Sequence, residues 1–405
     1  MTTTTFDVLA PEQVTDPYPF FERMREDAPV HWDEKYRAWF LYRYEDVFAA
    51  LSDTRFSSDR VRPVFENHLS EKQREKRRPT FEVLMNWMVF MDPPQHTRLR
   101  KLAMPAFTPK AVAAWQPRVE QLVAETLDEL GDRKQFDLIR DFAYPIPAIV
   151  IADLMGVPAS DRDQFKHWSD EILTLVFGAA GTGDRRERAQ KALVELTDYI
   201  REHIEYLRRH PEKEDLISTM MRSTAAEPPL SDDELIATCA LLIFGGHETT
   251  TNFIANSVRA LSRHPEQRDR LLADPSLINS AAEELIRFDG PSKMVMRQLA
   301  EDVELHGQSM KAGQNVYLVQ SSANHDPQMF ENPTQLDITR GQNRHVGFGF
   351  GIHHCLGNFL ARLEGRVAIP AFLERYPDVR TTTETQEWLP TLITRAMSSC
   401  PVEVG

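Results

Sequence analysis

The chain is poor in cysteine. Three stand among 405 residues, Cys239, Cys355 and Cys400, and their spacing makes neither a disulfide framework nor a CxxC pair for metal or redox work. Basic charge is in deficit. Forty-seven Lys and Arg against 61 Asp and Glu give a formal charge of −14, which argues against general affinity for nucleic-acid phosphate or anionic lipid. No stretch approaches the roughly 18 uncharged apolar residues of a membrane helix. The start, Met1-Thr-Thr-Thr-Thr5-Phe-Asp, lacks the basic and apolar regions of an export signal. The expectation is a protein of the reducing cytoplasm with no membrane anchor and no nucleic-acid partner. Glycine is scarce at 17, and neither a repeat nor a Gly/Ser linker divides the chain, so a single domain over 1–405 is expected.

What is present can build a large core: 41% of residues are hydrophobic and 27% charged. Segments between the 26 prolines carry helix-period apolar residues, as over 119–130 and 188–209, so the fold is expected to be mainly α with small β-sheets. Val30-His-Trp32 and Trp39-Phe-Leu-Tyr42 read as one hairpin. Val303-Glu-Leu305 and Val316-Tyr-Leu-Val319, flanking Lys311-Ala-Gly313, read as a second. The basic run 72–78 is interleaved with Glu75 and reads as a solvated loop.

Ser231-Asp-Asp-Glu234 is a capping box, and helical periodicity then continues to His264, where Pro265 stops it. Such a helix is roughly 50 Å long. Its apolar middle, Leu241-Leu-Ile-Phe244, predicts a central, buried rod. Gly245-Gly246-His247-Glu248-Thr249-Thr250-Thr251 follows, and two glycines and three β-branched residues are poor helix formers. One account is a close helix crossing. The other is a groove with a local bulge, where Glu248 and Thr249 offer a carboxylate and a hydroxyl for proton delivery. The stretch resembles the oxygen-binding kink of the cytochrome P450 family.

Phe348-Gly349-Phe350-Gly351-Ile352-His353-His354-Cys355-Leu356-Gly357 presents one sulfur from a glycine-rich loop just before a helix. Backbone N–H groups and the helix N-terminus favour thiolate, a strong iron ligand. The string is similar to the P450 signature Phe-Gly-x-Gly-x-His-x-Cys-x-Gly at all six fixed positions. Cys239 and Cys400 read instead as small core residues. The resemblance implies a P450-like fold with a long central helix and heme b (iron protoporphyrin IX) as cofactor, held by Cys355 as axial ligand. It places Phe348 near the sulfur and Gly245 beside the haem. His96, Arg100, Arg297 and His353 would meet the propionates, the first two within Asp92-Pro-Pro-Gln-His96-Thr-Arg-Leu-Arg100. Glu284, Arg287 and Arg340 would form a structural network. His325 and Leu336 depart from the family pattern, where Arg and Phe are common.

The implied function is monooxygenation of a hydrophobic small molecule with O2, catalysed with Glu248 and Thr249. Electrons would come from a ferredoxin or flavodoxin with its reductase. Arg98, Lys101, Arg344, Arg362 and Arg366 are candidates for a docking face. By position, Leu84, Met85, Trp87 and Met88 in a loop over 81–89, with Leu242, Met294, Val295 and Ile393, would line the substrate pocket. Lys293 reads as solvent-facing in preference to a partner for a substrate carboxylate. The rival readings are an H2O2-driven peroxygenase of the same fold and a non-enzymatic haem-based sensor.

Overall fold

A computed structural model describes residues 7–176, 183–223, 228–382 and 387–405. The export-signal reading of Met1 to Phe6 and the loop residue Glu227 lie outside them. The fold is mainly helical with small sheets. By contacts the chain forms two compact units, Met1–Phe56 with Pro117–Ile146 and Thr249–Gly405, and Ser57–Gln116 with Pro147–Glu248. The chain passes from one unit to the other four times, three of them inside helices, Gln116–Leu130, Pro145–Leu154 and Asp232–Arg263.

In the first unit Val30–Asp33 pairs antiparallel with Ala38–Leu41, which is the first expected hairpin. Ala38–Leu41 pairs in parallel with Asn315–Leu318, which pairs antiparallel with Val295–Leu299. One face packs on a cluster including Trp39, Leu41, Val47, Val316 and Val346, and the other on Phe20, Phe21, Phe40 and Met294. The second expected hairpin is corrected. Val303–Leu305 pairs with Gln308–Met310 instead of 316–319. Its turn is His306-Gly307, whose φ values of 49° and 76° are both left-handed, as tight hairpin turns require. The segment 311–313 leads into Asn315–Leu318 and closes no hairpin with 303–305.

In the second unit the basic run lies in a helix, Glu71–Met85, started by a Ser70/Gln73 capping box; the solvated-loop expectation was wrong because the cap outweighs the charge clustering. The pocket segment 81–89 is likewise not one loop. It comprises the end of that helix and a 3-10 turn, Met88–Phe90.

The long helix is Asp232–Arg263. Ser231 N–H donates to Glu234 at 2.9 Å and Glu234 N–H to the Ser231 hydroxyl at 3.3 Å, which completes the expected box. The backbone is α-helical throughout, so of the two accounts of Gly245-Gly246 the local bulge is not formed. Packing explains why. A Cβ at Gly246 would lie 2.9 Å from Ile151, so this glycine admits a close neighbour, and His247 Nδ1 lies 2.9 Å from the Ile243 carbonyl.

Candidate active site

Tight backbone geometry builds the cysteine loop. Gly349 and Gly351 have φ of 70° and 69°, a region open mainly to glycine. A Cβ on Gly351 would also lie 3.0 Å from the Leu51 carbonyl. Cys355 N–H donates to the Phe348 carbonyl at 2.8 Å, folding the loop back on itself. Cys355 is neither fully buried nor exposed, and the helix Asn358–Arg375 begins three residues later.

A relay that sequence reasoning missed ties this loop to the helix Ile278–Asp289. Asn358 donates to the Cys355 carbonyl at 2.8 Å. Arg362 donates to Asn358 Oδ1 at 2.5 Å and to both Glu283 oxygens at 2.6 and 2.9 Å. His345 lies 3.1 Å from Glu283, and the Arg362 guanidinium stacks 4.3 Å from the Phe348 ring centre. Burial opposes ionisation of Glu283, but Arg362 and His345 together hold its carboxyl down at about 2. No local signal reveals this link, because Glu283 and Arg362 are separated by 79 positions.

Glu284, one residue on, faces another way. It accepts from Arg287 at 2.7 and 2.8 Å, from Arg340 at 3.0 Å, from Asn343 at 3.1 Å and from the Asp337 N–H at 3.0 Å. Arg287 also donates to the carbonyls of Asn324, Pro333 and Gln335. A fully buried ion pair with every oxygen engaged fixes geometry even where its net energy is small. His325, at the family-variant position, lies between Tyr18 and Phe288. Desolvation, then the charge of Arg287, holds it neutral, with its pKa pushed down to about 3.

The remaining expected residues of the first unit are Arg297, buried on the strand Val295–Leu299; His353, in the turn Gly351–His353; Thr249; Val295; Ile393; and Met294. Met294 is wholly buried in the Phe20/Phe40 cluster.

In the second unit His96 is buried and Arg100 half-buried, one turn apart on the helix Gln95–Ala103. Gly245 is exposed although Ile243 and Phe244 before it are buried, and a Cβ there would meet nothing within 4 Å. The two glycines thus divide the roles between them: Gly246 packs, and Gly245 leaves space. Burial, with the charge of Asp170, pushes Glu248 up to about 8, so it carries a proton at neutral pH. Leu84, Trp87 and Met88 are buried, Met85 and Leu242 half-buried. The Trp87 ring stacks on Phe244 at 5.4 Å, and its indole N–H has no acceptor among the described residues.

The family model for cytochrome P450 matches residues 21–393. Cytochrome P450 CYP107DY1 of Priestia megaterium is 37% identical, over 98% of each chain. Vitamin D(3) 25-hydroxylase of Pseudonocardia autotrophica is 38% identical, over 96% of this chain and 94% of that one. The solved structure of P450BioI in complex with hexadec-9Z-enoic acid ligated acyl carrier protein has a TM-score of 0.90 at 35% identity, covering 97% of this chain and 99% of that one.

Proposed function

The chain belongs to the cytochrome P450 family, and from that premise we propose that Cys355 holds haem b while Glu248 and Thr249 move protons during oxygen insertion. The reaction class is monooxygenation of a small hydrophobic substrate with O2 and a redox partner. Bound haem supplies oxygen activation and electron transfer.

The donor set fits that group. Cys355 supplies a sulfur from a loop shaped by Gly349 and Gly351, and His96, Arg100, Arg297 and His353 are suited to two carboxylates. The observation that carries the reading is Gly245, in the middle of the long helix, where an added Cβ would meet nothing within 4 Å. We propose Leu84, Met85, Trp87, Met88, Leu242, Val295 and Ile393 as the apolar lining. Met294 would act from behind it. The unmatched Trp87 N–H offers a hydrogen bond to an oxygen of substrate or cofactor.

Glu248 holds a proton at neutral pH, and the Thr249 hydroxyl beside it can pass one on. A peroxide-driven enzyme or a sensor would not need this acid–alcohol pair, which favours the O2-dependent reading over both. Thr249→Ala is expected to keep electron uptake while diverting it to hydrogen peroxide, measured as peroxide formed per NAD(P)H consumed in a reconstituted system. Unchanged coupling would remove the proton-delivery role.

A ferredoxin or flavodoxin with its reductase is the proposed donor. Of the five sequence candidates for its docking face, Arg98 is paired with Glu234, Arg362 with Glu283, and Arg366 donates to Asn279. On the cysteine-bearing unit this leaves Arg344, with the exposed apolar residues Phe350, Ile352 and Phe359. Lys101 is exposed on the other unit. No helix among the described residues is long and apolar enough to cross a membrane. The unbridged Cys239 and Cys400 support a cytoplasmic setting, and the charge of −14 supports no nucleic-acid partner. The whole chain is proposed to act as one haem domain.

A further inference from the structure

Lys293, expected in solvent, is only 3% exposed. Its backbone is fixed on both sides: its N–H donates to the Ile393 carbonyl at 2.8 Å, and its carbonyl accepts from Ser321 at 3.0 Å. The side-chain nitrogen donates to the Thr391 carbonyl. An ammonium has three donors, so the neutral carbonyl answers one of them.

The charges around it offer no compensation. Arg395, on the segment packed against it, repels it. Arg395 is engaged by Asp289 at 3.1 Å and by the carbonyls of Val14 and Thr15. Asp289, at the end of the preceding helix, also accepts from Tyr18 at 2.7 Å and lies 3.3 Å from Arg259. Arg25, on the helix Tyr18–Asp27, is held by Ser322 at 3.0 Å. The neighbouring side chains of Gln320, Ser321, Thr391 and Thr394 carry no charge. Among the described residues no carboxylate pairs with Lys293, so burial and Arg395 pull its pKa down to about 7. An apolar side chain would occupy this place at lower cost. One acceptor engages this buried amine, and its other donors can engage a further one.

We propose that Lys293 receives the carboxylate of the substrate, which is thus an amphipathic acid: an apolar body carrying one carboxyl group. The proposal rests on the P450 reading above, which counts Val295, two residues along the chain, and Ile393, whose carbonyl accepts from the Lys293 N–H, among its substrate contacts. It adds proton linkage. The incoming carboxylate favours the ammonium, so the complex takes up a proton near and above neutral pH, and affinity for the acid falls as pH rises. A neutral ester of the same body lacks that dependence. A haem propionate is the other carboxylate source, and it is distinguishable.

The test titrates the haem protein with tetradecanoic acid and with methyl tetradecanoate, following the haem spin-state spectrum from pH 6 to 9. The acid is expected to bind about tenfold or more tighter than the ester at pH 6.5, as one charge-assisted contact implies. That advantage should shrink by up to about tenfold per pH unit above neutrality. Lys293→Met should abolish preference and slope together while keeping its full haem complement. Lys293→Arg should keep the preference without the slope. Calorimetry of the wild-type protein at pH 7.5 in buffers of different ionisation enthalpy should show proton uptake with the acid and none with the ester.

Equal binding of acid and ester overturns the proposal. So does a preference that survives in Lys293→Met, or a loss of haem from that variant with the preference intact, which assigns the amine to a propionate. A normal thiolate-type haem spectrum without acid preference refutes Lys293 alone, whereas a haem lacking thiolate character refutes the P450 reading itself.

Discussion

Glu364 lies on the helix that follows the cysteine loop and is 1% exposed. Burial pushes its pKa up to about 8, against the opposing help of the Thr250 hydroxyl. In the unfolded chain this group ionises above 4.5, whereas in the fold it stays protonated, so stability is present below that pH and is lost as pH rises through the folded value. The slope is roughly 1.4 kcal/mol per pH unit. Glu364→Gln is expected to flatten it, read as denaturant midpoints at pH 5, 6.5 and 8; an undiminished slope would contradict the assignment. His325 acts in the opposite direction. Held neutral in the fold, it opposes unfolding above 6.5 and loses that contribution as pH falls toward about 3. His325→Phe should therefore lose less stability than wild type between pH 6.5 and 4.

At the scale of elements, the two glycines of the long helix make opposed expectations. Gly246→Val places atoms against Ile151 and should destabilise by about 1–3 kcal/mol. Gly245→Ala meets no protein atom and should stabilise the helix by about 0.5–1 kcal/mol, while perturbing the haem spectrum. If both variants lost the same stability, the division of roles would be wrong. The helix boundaries were legible because Ser231/Glu234 and Pro265 are local signals. The division of roles between its two glycines was not, since Ile151, the neighbour of Gly246, comes from distant sequence. The second hairpin differs from expectation for a related reason: two left-handed residues, His306 and Gly307, close the turn, and a non-glycine residue in that conformation carries a weaker sequence signal than Lys311-Ala-Gly313. The cysteine loop was legible because all of its geometry lies within ten residues. The Glu283–Arg362–Asn358 relay was not, although it anchors the same loop. Glu283→Gln leaves Arg362 with a weaker partner and should cost about 1–3 kcal/mol, seen as a lower melting temperature; an unaffected melting temperature would show the relay to be idle.

For the whole molecule, a charge of −14 should repel an acidic electron donor except where a local cation intervenes. Arg344→Glu is expected to slow reduction by a ferredoxin, with an effect that fades as ionic strength rises. Arg362, already neutralised by Glu283, should show no such salt dependence. Stopped-flow reduction in 20 and 300 mM salt would separate them. The local motifs set the class of molecule, whereas the burial of Lys293, on which the proposed acid preference rests, depends on contacts distant in sequence. Most direct of all is the spectrum of the reduced, carbon monoxide-bound protein beside that of Cys355→Ser. The wild type should show the red-shifted Soret band of thiolate-ligated haem and the variant should lose it. A wild type without that band, or a variant that keeps it, would contradict the assignment of Cys355.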